Sequence, residues 1–105
     1  MDKTAKVVLT DDASGASLAG ELDLGSYDTL ATDLGKLFDV SGDIVLDLAD
    51  VTFIDSSAIR LFVRLQESRN GEGSVILRGV QPHVARVLDV AGVSDLGITM
   101  EGSGA

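Results

Sequence analysis

The chain has 105 residues and a formal net charge of -9. So acidic a balance repels phosphate backbones and argues against nucleic acid, leaving a basic protein groove, or plain solubility, as its use. With 45% hydrophobic residues, 24% charged and one proline, it is globular, long enough for one core and too short for two. Aromatics make up only 4%, so that core must be aliphatic, and the lack of cysteine excludes disulfides and thiolate metal sites. The opening MDKTAKVVLTDD has no leader-like apolar stretch, and no apolar run of about 18 residues occurs anywhere. A cytoplasmic chain without membrane insertion is expected.

Lys6–Thr10 (KVVLT) reads as a short strand, turned at Asp11-Asp12-Ala13-Ser14-Gly15 into a second over Ala16–Gly20. Gly20-Glu21-Leu22-Asp23 then reads as a strand-end turn carrying an exposed acid. Leu30, Leu34, Leu37 and Phe38 recur at helical spacing and predict a helix from about Ser26 to Val40, with Ser26 as N-cap and Gly35 weakening its middle. Ile44–Leu48 is nearly continuous in apolar residues, the pattern of a strand covered on both faces. A second helix runs from Ser56 or Ser57 to about Arg69 and stops at Asn70-Gly71. Arg60, Arg64 and Glu67 line its solvated face, and Leu61, Phe62 and Leu65 point elsewhere. Ser74–Arg78 reads as another central strand. Pro82 opens a third helix with Val84, Val87, Leu88 and Ala91 on one stripe and Gly92 as terminator. Gly97–Met100 forms a short last strand, and residues 101–105 form a loose tail. Strands alternating with helices define an α/β domain with helices gathered against a mixed sheet.

Asp55-Ser56-Ser57 lies where an apolar strand ends and a helix begins. Asp and Ser are preferred N-caps, and most such triplets do nothing more. The same place, at the positive end of a helix dipole with free N–H groups nearby, also accommodates a phosphate, so a serine there can serve as a phosphoacceptor. A nucleophilic serine enzyme is a poor fit, because there is no G-x-S-x-G elbow and the one histidine, His83, follows Pro82 at an expected surface position. No metal-ligand spacing occurs, and Gly71-Glu72-Gly73 is a turn without the lysine of a phosphate-cradling loop. No metal and no cofactor are expected.

Taken together, GELD at Gly20–Asp23, the strand IVLDL followed by FIDSS at Phe53–Ser57, and the later VARVLDVAGV resemble the STAS domain. Within that superfamily they look most like the bacterial anti-sigma factor antagonists, in matching order from Lys6 to Met100. The resemblance implies a single STAS-like α/β domain over residues 1–105, with a mixed sheet of about four to five strands and helices packed mainly on one face. It implies a binding module and kinase substrate, not an enzyme. In that family the unphosphorylated antagonist binds an anti-sigma factor, itself an ATPase-type serine kinase, and so frees a sigma factor. The kinase phosphorylates the hydroxyl residue directly after the motif aspartate, here Ser56, and a PP2C-type phosphatase resets it. Partner-binding residues carried over are Asp23, Asp55, Ser56, Ser57, Ala58 and Arg60, in a monomer or weak dimer. The chain departs from the family right after the serines, where Ala58-Ile59-Arg60 replaces a glycine, an aliphatic residue and a small one. The alternative within the same superfamily is a non-phosphorylated STAS subunit of another assembly, such as the small cytoplasmic component of a lipid-transport ABC complex.

Overall fold

Five strands lie side by side in chain order: β1 (Lys6–Leu9), β2 (Gly15–Leu22), β3 (Ile44–Ile54), β4 (Val75–Val80) and β5 (Thr99–Gly102). The computed structural model describes residues 5–12 and 14–102; Ala13 in the first turn, residues 1–4 and residues 103–105 of the expected tail lie outside them. Strands β1 and β2 form the expected antiparallel hairpin, while β2, β3, β4 and β5 run parallel. Three helices, α1 (Tyr27–Leu34), α2 (Ser56–Glu67) and α3 (Pro82–Ala91), make the crossovers. Crossovers that are right-handed and all step the same way place their helices on one face of the sheet.

Burial follows that face. Ala16, Leu18 and Leu22 of β2, Ile44, Leu46 and Leu48 of β3, and Val75, Leu77 and Val80 of β4 are buried with Leu30, Leu34, Leu61, Phe62, Leu65, Val84 and Leu88 of the helices. The core is aliphatic, with Phe62 its one buried aromatic among the described residues. Ser17 and Arg78, on the opposite face, are exposed, and Val45 and Asp47 are only half-buried. The Ile44–Leu48 run is therefore covered on one face, not two.

Strand β3 is also much longer than its apolar run. It has 11 residues, and against β2 it carries two irregularities, between the pairs Ser17↔Asp47 and Ala19↔Asp50 and between Gly20↔Val51 and Glu21↔Phe53. Each leaves an extra residue on β3, as a bulge does, so its core-facing side chains step from Leu48 to Val51 to Ile54 instead of alternating. The extension brings Asp55 level with the end of β2.

Helix α1 stops at Leu34, and a 3₁₀ turn over Gly35–Leu37 replaces the expected continuation to Val40. The segment that follows is held by Arg69, a side chain only 4% exposed. Its Nη2 donates to the carbonyls of Leu37 (3.1 Å) and Phe38 (3.0 Å), and its Nη1 to those of Val40 and Gly42 (2.9 Å to the latter). Carbonyls that a longer helix would leave unpaired at its end are collected by one cation. Ser26 occupies the N-cap position of α1, as expected, but its side chain makes no cap bond there; it closes a preceding 3₁₀ turn, Leu24–Ser26, capped by Asp23.

Helix α3 begins at Pro82 and ends at Gly92, whose φ of 76° suits a left-handed stop. Of its expected stripe only Val84 and Leu88 are buried; Val87 and Ala91 face outward, because the chain turns at Gly92 and the next core contacts come from Val93 and Ile98. Strand β5 continues through Gly102, two residues into the expected tail, held by pairing with β4 and by an Arg78–Glu101 ion pair of 2.9 Å.

Candidate functional site

Strands β2 and β3 end together, and their following loops are tied to one another. The Asp55 N–H donates to the Leu22 carbonyl (3.0 Å), and the Leu24 N–H donates to Asp55 Oδ2 (3.0 Å). The GELD and FIDSS segments thus meet at Asp55, as two adjacent parallel strands with coincident ends require. Asp23 adds its own brace: its carboxylate accepts the Ser26 N–H (3.1 Å), and the Ser26 hydroxyl accepts the Asp23 N–H (3.1 Å). This reciprocal capping box makes Asp23 a half-buried structural acid where the sequence suggested an exposed one.

Asp55 is the N-cap of α2. Extended at φ -121°, it turns its Oδ1 back onto the helix start, accepting the Ser57 N–H (2.9 Å), the Ser57 hydroxyl (2.5 Å) and the Ala58 N–H (3.5 Å). Burial pushes the Asp55 carboxyl up, but the hydrogen bonds from the Ser57 hydroxyl and N–H and from the Leu24 and Ala58 N–H groups outweigh it and hold the group below the ordinary carboxylate value. Asp55 therefore stays ionised, with both oxygens engaged.

The two serines are thereby distinguished. Ser57 is half-buried and its hydroxyl is committed to Asp55. Ser56 is exposed, and among the described residues its hydroxyl has no hydrogen-bond partner. Ala58 is wholly buried, so its methyl belongs to the core and is withdrawn from the surface a partner would meet. Arg60 is exposed one helical turn beyond Ser56 and forms no ion pair among the described residues. Leu24 (75% exposed) and Phe53 (48%), neither singled out in the sequence, add apolar surface beside this end of the sheet.

The approach of β3 to Asp55 is supported from α3. Pairing of β3 with β4 ends at Asp47↔Arg78, and beyond it Gln81 Nε2 donates to the Ala49 carbonyl (2.8 Å) while His83 Nε2 lies 2.7 Å from the Thr52 carbonyl. His83 is exposed, as expected, yet engaged as a brace, and among the described residues it forms no hydrogen bond with either serine. The polar residues flanking Pro82 were the only trace of this in the sequence. Among the described residues no cluster of His, Cys, Asp and Glu could hold a metal ion, and no helix is long and apolar enough to cross a membrane.

The structure thus presents a mixed sheet with three crossover helices and an exposed serine hydroxyl at the start of the second of them. The STAS domain family profile matches residues 5–102, and the chain belongs to that family. It is 27% identical over 105 residues to the anti-sigma-B factor antagonist of Staphylococcus epidermidis, covering 98% of this chain and 97% of that one. Its fold matches that of an anti-sigma-factor antagonist (STAS) domain protein from Planctomyces limnophilus, with a TM-score of 0.74 at 19% identity over 94% of this chain and 90% of that one. The Bacillus cell fate determinant SpoIIAA in its phosphorylated form shares the fold with a TM-score of 0.63 at 15% identity, over 96% and 93% of the two chains.

Proposed function

We propose that this domain is an anti-sigma factor antagonist of the partner-switching kind, a cytoplasmic binding module and not an enzyme. Unphosphorylated, it binds an anti-sigma serine kinase of the ATPase type and so releases a sigma factor; phosphorylation of Ser56 ends the binding, and a PP2C-type phosphatase restores it. The observation that carries this reading is the division of labour between the serines. Ser57 spends its hydroxyl on Asp55, whereas Ser56, at the exposed start of α2, presents one without a partner among the described residues. In the transfer, a bond forms between Ser56 Oγ and the γ-phosphorus of ATP as the β–γ bridging bond breaks; the hydroxyl loses its proton and ADP departs.

The contact surface centres on Ser56, flanked by Leu24, Phe53 and Arg60, with Asp55 and Asp23 holding its shape. Phosphate adds nearly two negative charges at that centre. A desolvated, unpaired charge in a close-packed interface costs several kcal/mol, enough to part the partners without refolding either.

Incubation with the cognate kinase and ATP, followed by mass spectrometry of tryptic peptides, tests the assignment. Modification is expected on Ser56 and lost in Ser56→Ala; phosphate found only on Ser57, with Ser56→Ala still modified, overturns it. By calorimetry Ser56→Asp should bind the kinase at least about tenfold more weakly than Ser56→Ala, which should bind constitutively. Equal affinities for the two variants would count against a charge-operated switch.

A further inference from the structure

The outward face of α2 is unusual in so acidic a protein. Ser56, Arg60 and Arg64 follow one another at four-residue intervals, all exposed, and neither arginine forms an ion pair among the described residues. Residues four apart on a helix have Cβ atoms roughly 5–6 Å apart, and long helical side chains lean back toward the N-terminus. The spacing therefore puts the Ser56 side chain within reach of Arg60. Repulsion from Arg64, one turn further on, favours the same lean toward the N-terminus.

The acids near Ser56 do not compete for that guanidinium on equal terms. Asp55 has both oxygens engaged by donors from α2 and from Leu24, and the Asp23 carboxylate is held by Ser26. A phosphate on Ser56 would bring three unengaged acceptor oxygens and a charge of about -1.5 to -2 to the place Arg60 reaches. We infer that Arg60 is a counter-ion held in reserve for phosphoserine at position 56, so that the modified surface stays partly neutralised and the switch is graded.

This rests on the reading of Ser56 as the modified residue, but the pairing can be tested without any kinase. Phosphoserine is placed at position 56 of the full chain by genetic encoding, and its second ionisation is followed by phosphorus NMR in wild type, Arg60→Gln and Arg64→Gln. The helix N-terminus, Asp55 and Asp23 act on the phosphate equally in all three, so differences report the arginines. Pairing predicts a midpoint about 0.4 unit lower in wild type than in Arg60→Gln at low salt, the size set by an exposed helical ion pair. The gap should close near 1 M salt, and Arg64→Gln should move the midpoint less than half as far. Equal midpoints in wild type and Arg60→Gln overturn the inference, as does an Arg64→Gln shift as large as that of Arg60→Gln.

A second arm measures the consequence: the ratio of kinase affinities, unphosphorylated over phosphorylated, should widen about twofold in Arg60→Gln, and an unchanged or narrower ratio refutes the graded switch. If the NMR shift is present while the kinase never modifies Ser56, the pairing stands and the proposed function falls.

Discussion

The two ends of α2 solve the same problem in opposite ways. At its N-terminus an anion, Asp55, collects N–H groups from the helix start and from Leu24, 31 residues earlier. Past its C-terminus a cation, Arg69, collects carbonyls from the 3₁₀ turn that follows α1 and the loop after it, about 30 residues earlier in the chain. Each charge matches the local sign of the helix dipole, and each ties α2 to the β2–α1–β3 crossover. They differ in burial. Arg69 is sealed in, so its end of the helix is fixed, while Asp55 is half-buried and leaves Ser56 in front of it uncovered. On the proposed function, the sealed end would keep the scaffold fixed while the open end is modified.

The comparison is broken most severely at Arg69. Arg69→Met removes the donor from five carbonyls, that of Leu65 within α2 included, and the loss should be about 3–5 kcal/mol, read as a lower urea midpoint with an unchanged slope. Arg69→Lys should recover less than half of it, because a single ammonium cannot span the carbonyls a planar fork reaches. A loss below about 1 kcal/mol for Arg69→Met would mean that water replaces the cation and that this end is not the rigid one.

Next in size is Asp55→Ala, which removes a helix cap and the tie to Leu24 together and should cost about 2 kcal/mol. The same residue gives the comparison a pH signature. The Asp55 carboxyl is held below its ordinary value in the folded chain. Its contribution is therefore fully present above the unfolded carboxylate value near 4 and is lost as pH falls through the lower folded value. Asp12, in the β1–β2 turn, is lowered to about 2 by the hydroxyls of Ser14 and Thr10 and adds to the same acid slope. Melting curves between pH 6 and 2 should show a shallower acid decline in Asp55→Asn than in wild type, with Asp12→Asn as the control that leaves α2 untouched. Parallel curves for wild type and Asp55→Asn would remove Asp55 from the account.

How much of this contrast could be read from the chain follows from the range of each interaction. The Asp55 cap was legible because capping is local: Asp before Ser-Ser at a helix start needs nothing from elsewhere. The hairpin and the Asn70-Gly71 stop were legible for the same reason, Asn70 at φ 53° and Gly71 at 77° included. Arg69 was not, since an arginine at the end of a predicted helix reads as solvated, and only the folded chain shows the carbonyls of residues 37–42 converging on it. The length of β3 was hidden because two bulges replace its period of two by steps of three after Leu48. Asp23 was misread as exposed because its partner, Ser26, read as the cap of α1, whereas its side chain turns back to Asp23 in the preceding 3₁₀ turn.

The smallest effect separates the two serines and is the sharpest test of the accessible end. Ser57→Ala deletes a hydroxyl that donates to Asp55 at 2.5 Å, a bond to a charged group, and should cost about 1 kcal/mol. Ser56→Ala deletes an exposed hydroxyl without a partner among the described residues, at a helix position where alanine is the better former, and should change stability by less than about 0.5 kcal/mol in either direction. The order carries the argument: if Ser56 is modified as proposed, it cannot also hold the helix start together, or each modification would loosen the scaffold that presents it. Chemical denaturation of the two single variants side by side measures the difference directly. If Ser56→Ala proves the more destabilising, the free hydroxyl is structural after all, and the N-terminal end of α2 is as fixed as the end sealed by Arg69.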